Sequence, residues 1–385
     1  MSVVTAGWDL ILNKHGGYLP IEIEAVPEGT VLPAGNVMVQ MKNTAPEVPW
    51  LTSYLETAIL RAVWYPTTVA TLSREAKTLI YGAMKKTTEH PEAQIDFQLH
   101  DFGARGVSSE ESAALGGLAH LVNFKGTDTI SALLAGRAYY GDTMAGYSIP
   151  ASEHATMTAW GENRETDAYE NMLKQFGGNG NTLAVVSDSY DIYNAVSKIW
   201  GGALKDKVLQ NGSTLVIRPD SGDPQDVVIE VIERLMTAFG HHINAKGYRV
   251  LPPCVRVIQG DGVNLQSIGE ILQALIENGI SAENVAFGMG GGLLQQVNRD
   301  TCKFAMKASA IQINGQWQDV FKSPVTDPGK ASKKGRLALR KVDNRYVTLR
   351  KEDCPVEANI LQPVFEDGHL LRSTTLSEIR QRAAA

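Results

Sequence analysis

Cysteine is scarce. Cys254, Cys302 and Cys354 are the only three, and none sits in a CxxC or Cys/His ligand spacing. That excludes a disulfide scaffold and a zinc module, and reads as reduced thiols in a cytoplasmic protein. No apolar run approaches ~18 residues, so no membrane-spanning helix is expected. The opening Met1-Ser-Val-Val-Thr-Ala-Gly-Trp-Asp9 lacks the charged and apolar regions of a signal peptide. A basic excess is also missing: the formal net charge of −6 argues against a general nucleic-acid binder. Two nucleotide fingerprints are absent as well. No Gly-Lys-Ser/Thr closes a Walker A loop, and the glycines of Gly288-Met-Gly-Gly-Gly292 are spaced GxGGG, with no acidic residue ~20 positions later. With 43% hydrophobic and 20% charged residues, the 385-residue chain is ordinary for a soluble globular protein and long enough for two structural units.

What is present is a repeated unit. Leu183-Ala-Val-Val-Ser-Asp188, Thr214-Leu-Val-Ile-Arg218-Pro-Asp220, Val255-Arg-Val-Ile-Gln-Gly260-Asp261-Gly262 and Asn284-Val-Ala-Phe-Gly288 each run an apolar strand into a polar or Gly-rich turn. A helical pattern follows each. Repetition of that unit predicts an α/β fold with a parallel barrel over 96–312 and its site at the C-terminal strand ends. A second, mixed β region lies outside it, in residues 1–95 and 313–385. Its strands alternate at Leu19–Val26 and Asn36–Lys42, and hairpin signals lie at Asn314-Gly315 and Asp367-Gly368. Helices are expected over Leu51–Ala70 and Ser73–Lys86, interrupted at Tyr65-Pro66, and over Val227–Phe239. Another is expected from Leu265, where Ile268, Ile271, Leu272, Leu275 and Ile276 continue one apolar stripe.

The turns carry the chemistry. Arg218 and Asp220 flank a proline that fixes the backbone; they suit a phosphate and sugar hydroxyls, or a structural ion pair with each other. Gly260-Asp261-Gly262 puts a carboxylate on a turn that a ligand can approach closely. Gly290 and Gly291 free backbone N–H groups at a helix start for a phosphate, or simply form a tight packing turn. Arg299, expected further along that helix, favours the phosphate. His154, after Ile149-Pro150, sits at a helix start, where a histidine is more often a cap or a packed residue than a catalyst. Composition does not decide between them.

Six ordered motifs carry a resemblance: His100-Asp-Phe-Gly-Ala-Arg105, Phe124-Lys-Gly-Thr-Asp128, Gly146-Tyr-Ser-Ile-Pro-Ala-Ser-Glu-His154, Ile217-Arg-Pro-Asp-Ser-Gly222, Gln259-Gly-Asp-Gly262 and Phe287-Gly-Met-Gly-Gly-Gly-Leu-Leu294. Together they resemble the nicotinamide phosphoribosyltransferase family of type II phosphoribosyltransferases, from about residue 8 to the C-terminus. The resemblance implies an irregular α/β barrel with a mixed β domain formed by both chain ends, and transfer of phosphoribose from phosphoribosyl pyrophosphate (PRPP) to nicotinamide, giving nicotinamide mononucleotide and pyrophosphate in NAD salvage. It also implies a homodimer with its active site at the interface, magnesium, and ATP coupled through a phosphohistidine. By match, Phe102 is the wall stacking on the pyridine and Asp128 the acceptor of the carboxamide NH2. Arg105 and Arg218 would contact pyrophosphate and ribose phosphate, and His154 would be the phosphorylated histidine. Asp188 and Asp220 are the acids around that histidine and the ribose, Gly260 and Asp261 the sugar turn, and Gly290, Gly291 and Arg299 the 5′-phosphate site.

Nicotinate phosphoribosyltransferase is the enzyme alternative, opposed by the charge of Asp128. A catalytically dead homologue is the non-enzyme alternative. Members carry a segment ahead of the point where this chain begins, with an Asp-Ser-Tyr-Lys motif whose tyrosine covers the nicotinamide of the partner subunit. Asp188-Ser189-Tyr190 matches a different motif. The expectation is therefore a shortened chain, or a misassigned start, with one wall of the base pocket open.

Overall fold

The computed structural model describes residues 2–384. Contacts divide the chain into two compact units: residues 1–65 with 299–385, and residues 66–298.

In the first unit a four-stranded antiparallel sheet joins the chain ends. Ile21–Ala25 pairs with Val39–Asn43 on one side and with Gln362–Glu366 on the other, and the Asp367-Gly368 turn leads to His369–Leu370. Asp367 at φ 45° and Gly368 at φ 89° adopt the left-handed backbone that the turn needs. Two further hairpins pair Ala310–Ile313 with Gln316–Asp319 and Leu337–Val342 with Arg345–Arg350. Ile11, Ile21, Val48 and Leu51 form one core, with Trp8 and Trp50 packed against it. The helix Ser2–His15 was not among the expected elements. The expected break at Tyr65-Pro66 is absent too: Leu51–Thr87 is one helix with Pro66 inside it. A proline there removes one backbone donor, and the flanking turns hold the helix despite it. The division between the units falls within this helix, so residues 66–95 group with the barrel and 299–312 with the chain ends.

The second unit is the barrel. Its six parallel strands are β1 Leu99–Asp101, β2 Gly126–Thr127, β3 Thr182–Val186, β4 Thr214–Arg218, β5 Val255–Gln259 and β6 Val285–Met289. They pair in the order β2-β1-β6-β5-β4-β3. The gap between β2 and β3 is filled by an irregular segment, residues 147–152. Tyr147 bridges Gly126, and Ala151 bridges Ala184. The Tyr147 amide donates to the Lys125 carbonyl (2.8 Å), and the Ala184 amide donates to the Pro150 carbonyl (2.9 Å). One further ladder position is completed by a side chain, the Ser152 hydroxyl accepting from the Val186 amide at 3.0 Å. Pro150 has no donor to give, which explains why this stave is not a regular strand. With it the ring closes, in chain order.

Alternate residues face the lumen, where Ala184, Val216 and Ile258 pack with Phe102, Ile149 and Ala286. The intervening Val185, Ile217, Val257 and Phe287 are fully buried against the outer helices. Those helices follow from their patterns. Leu265–Glu277 buries Ile268, Ile271, Leu272 and Leu275 and is capped by Asn264, while Pro224–Phe239 starts on Asp223.

Candidate active site

The polar turns converge at the C-terminal ends of the strands. His154 begins a short helix, His154–Thr158, straight after the irregular stave. Its Nε2 lies 3.0 Å from Asp188 Oδ1, and its Nδ1 lies 3.8 Å from Asp220 Oδ2. Asp188 has an almost fully buried side chain. Its Oδ2 accepts from the Asp220 amide at 3.0 Å and from the Ser221 hydroxyl at 2.6 Å. A carboxylate held this way orients the imidazole, with Nε2 turned toward Asp188 and Nδ1 toward Asp220. The support continues beneath. Trp200 Nε1 donates to the Ser187 hydroxyl at 3.1 Å, and Trp200 stacks on Tyr169 at 4.6 Å between ring centroids.

Arg218 and Asp220 make the internal ion pair that their spacing allowed, with Nε–Oδ1 at 3.2 Å and Nη2–Oδ2 at 2.8 Å. Both side chains are mostly buried. The guanidinium also lies over the Phe102 ring, 5.3 Å from its centroid. Close approach here depends on glycine. A Cβ at Gly260 would stand 2.9 Å from Asp220 Oδ1 and 3.0 Å from Arg218 Nε, and one at Gly288 would stand 2.0 Å from Phe102 Cε2. Asp261 is exposed on the turn after β5, its carbonyl accepting from Gln259 Nε2 at 2.8 Å.

On the opposite rim, the Ser148 hydroxyl donates to Asp128 Oδ1 at 2.5 Å. Asp128 follows β2 and is exposed. Arg105, on the turn after β1, pairs with Glu153. Burial pulls the Glu153 carboxyl upward, but the hydrogen bond from Arg105 and the charges of Arg105 and Arg218 outweigh it and hold the pKa below its usual range. Burial lowers the His100 pKa in the lumen, and the negative charge of Asp128 opposes the shift.

Gly290 and Gly291 follow β6 directly, Gly290 as the cap and Gly291 as the first residue of the short helix Gly291–Leu294. A Cβ at Gly291 would meet nothing within 4 Å, and Gly106 of the Arg105 turn packs on it. Arg299 is a correction to the expected geometry. The helix stops at Leu294, so Arg299 does not continue it; it falls in the chain-end unit and pairs with Asp300 at 2.8 Å. Ser148, Glu153 and Ser221 hold the site acids and Arg105, although sequence reading gave them no role. Each stands within six residues of a candidate site residue, His154 or Asp220.

A sequence profile of the nicotinate phosphoribosyltransferase (NAPRTase) family matches residues 97–369, which take in the whole ring of strands and every turn just described. The chain belongs to that family. It is 53% identical over 386 residues to a nicotinamide phosphoribosyltransferase of Xanthomonas campestris pv. campestris (strain 8004), covering 99% of this chain and 82% of the relative. It is 34% identical over 390 residues to one from Acinetobacter baylyi, covering 96% and 77%. Among solved structures, nicotinate-nucleotide pyrophosphorylase from Pyrococcus furiosus superposes with a TM-score of 0.60 over 95% of this chain and 80% of that one. At 16% identity that likeness speaks for the fold, a type II phosphoribosyltransferase barrel.

As a family member, the chain sets its polar groups at one barrel mouth. Among the described residues no group of three His, Cys, Asp or Glu side chains could hold a metal ion. The Asp188 and Asp220 oxygens are largely committed to His154, Ser221 and Arg218. That donor set fits a cation that keeps most of its waters and arrives on a phosphate, as magnesium does. Among the described residues no helix is long and apolar enough to cross a membrane.

Proposed function

We propose that the chain is a nicotinamide phosphoribosyltransferase of NAD salvage. It would transfer phosphoribose from PRPP to nicotinamide and release pyrophosphate. The observation that carries the reading is the convergence of Phe102, Arg218, Asp220, Asp188 and His154 in one connected set at the barrel mouth. The relatives named above add weight.

In this reading the pyridine nitrogen attacks C1 of the ribose as the bond to the pyrophosphate oxygen breaks, through an oxocarbenium-like state. The chain's share is placement and charge. Phe102 holds the face of the ring, and Asp128, aimed by Ser148, accepts from the carboxamide NH2. Asp220 and Asp261 take sugar hydroxyls. The N–H groups at Gly290 and Gly291 take the 5′-phosphate. Arg218 and Arg105 neutralise the leaving pyrophosphate. Magnesium would accompany that pyrophosphate beside Asp220 and share its charge. His154 attacks the γ-phosphate of ATP through Nδ1, with ADP leaving and Asp188 holding the Nε2 proton. The same reading includes a cytoplasmic homodimer with its site at the subunit boundary. The exposed Ile130 and Leu134 of the helix Ile130–Tyr140, beside Asp128, fit a covered face.

The test is acceptor choice. A neutral amide that loses its charged partner gives up roughly 1.5–3 kcal/mol, about ten- to a hundredfold. Wild type should prefer nicotinamide over nicotinate, and Asp128→Asn, able to offer its own NH2 to a carboxylate, should narrow or reverse the ratio. An unchanged ratio in steady-state assays would show that Asp128 does not read the amide.

A further inference from the structure

Asp101 is a buried acid to which the chemistry above gives no task. It ends β1 between the lumen-facing His100 and Phe102, so its own side chain points outward, fully buried, beneath helix Glu110–His120. Gly117 of that helix lies so close that a Cβ there would stand 3.0 Å from Asp101 Oδ2. No cation pairs with Asp101 among the described residues. Burial without such a partner raises its pKa, against hydrogen bonds from Gly103 and the neighbouring threonines. A lone buried carboxyl is a costly choice for filling space.

Its hydrogen bonds reach two different turns. Oδ1 accepts from the Gly103 amide at 2.7 Å, on the turn that carries Phe102. Oδ2 faces the Thr127 hydroxyl at 3.4 Å, and that hydroxyl accepts from the Thr129 amide at 3.0 Å. The Asp101 carbonyl accepts from the Asp128 amide at 3.0 Å. One residue thus clasps the turn bearing the ring wall to the turn bearing the amide-reading carboxylate, from the face away from the ligand.

We infer that Asp101 is a positioning residue for the pyridine subsite: it sets the separation of Phe102 from Asp128, and through it acceptor affinity and choice, without touching the substrate. The inference rests on the functional reading above. Ring and amide belong to one rigid ligand, so stacking and the amide hydrogen bond can be satisfied together only at one spacing of the two turns. The other ribose, pyrophosphate and ATP residues follow β3 to β6 or the irregular stave, outside the clasp; Arg105 alone shares the Phe102 turn, and it is anchored at its far end by Glu153 rather than by Asp101.

The experiment compares Asp101→Ala, Asp101→Asn and Thr127→Val with wild type. The readouts are KM and kcat for nicotinamide and nicotinate at saturating PRPP, Kd for PRPP by calorimetry, and Tm. Thr127→Val opens the clasp from its other side at nearly constant volume, and carries the test if Asp101→Ala does not fold. Asp101→Ala and Thr127→Val should each raise the nicotinamide KM by about tenfold or more and erode the nicotinamide-to-nicotinate ratio by a similar factor. PRPP affinity should stay within about threefold. Asp101→Asn keeps an acceptor for Gly103 and should fall between. Parallel loss of nicotinamide and PRPP binding, or a lower Tm with an unchanged acceptor ratio, would overturn the inference. A wild-type enzyme that prefers nicotinate overturns the functional reading alone, because the clasp is still read in the nicotinate KM. A chain that uses neither pyridine overturns both.

Discussion

Replacing Gly288 by alanine puts the barrel's geometry under direct test. The added Cβ would stand 2.0, 2.3 and 2.8 Å from three carbons of the Phe102 ring. Carbon atoms rest at about 3.5–4.0 Å, so the ring has to retreat by roughly 1.5 Å. Its retreat is not free, because Arg218 sits over it at 5.3 Å and His100 lies tilted at 6.3 Å from its centroid. Overpacking of this kind costs about 1–3 kcal/mol of stability. Displacing a substrate wall by an ångström costs on the order of a hundredfold in rate. Gly288→Ala should therefore lower kcat/KM for nicotinamide by about a hundredfold, with a smaller effect on PRPP affinity passed on through Arg218. Adding Phe102→Leu should recover stability without recovering nicotinamide affinity, a non-additivity expected of residues in contact. Gly269→Ala is the control: it lies in helix Leu265–Glu277 with nothing within 4 Å, and should be neutral in kinetics and stabilising by about 0.5–1 kcal/mol. A Gly288→Ala enzyme with wild-type kinetics would refute the assignment of Phe102 to the base.

Three more outcomes are expected. His154→Ala should lose the acid-labile ³²P acquired from γ-labelled ATP while retaining uncoupled phosphoribosyl transfer; label persisting on the variant would move the phosphorylated group elsewhere. His120, wholly buried, accepts from or donates to Ser73 Oγ at 2.9 Å and lies 3.2 Å from the Gly126 carbonyl, with a pKa lowered by burial from 6.5 to about 3. The unfolded chain therefore takes up a proton below about pH 6.5 that the folded chain refuses. Stability present above that pH should drain as pH falls toward 3, by up to ~1.4 kcal/mol per unit. Urea midpoints should fall less for His120→Gln than for wild type between pH 7 and pH 5, and equal falls would exonerate His120. Glu153→Gln should free the exposed Arg105 and tighten PRPP binding, by no more than about fivefold for an exposed pair; weaker binding by calorimetry would mean that Glu153 aims the arginine instead.

The parts legible in the sequence were those written in a period or a turn. Ile217 and Val257 alternate with lumen residues, Ile268 to Leu275 keep one helical stripe, and Asn314-Gly315 and Asp367-Gly368 mark hairpins. Most of the barrel-mouth residues followed because they end such strands. What stayed hidden is held by interactions without a period. Residues 147–152 have no strand pattern, since Pro150 offers the ladder only its carbonyl and the Ser152 hydroxyl takes a bond that a strand would make with its backbone. The helix through Pro66 persists against its local signal. The placing of Arg299 on the glycine helix assumed a length that the helix does not have. Asp101 carries no sequence signal of its own, because outward burial at a strand end cannot be seen until the helix above it is in place.

The irregular stave has a consequence for how the barrel can fail. A regular strand would seal the ring whatever its side chains were, and the mouth could then drift in sequence at little risk to the wall. Here Ser148 and His154 flank the very residues that complete the hydrogen-bonded circuit, so closing the wall and arming the mouth are a single cooperative event. A change that loosens Pro150 or Ser152 opens a gap between β2 and β3 and unseats the imidazole in the same motion. An intact barrel with a disarmed mouth is therefore hard to reach by small steps through this segment, and its tolerance for substitution should be set by the architecture as much as by the reaction.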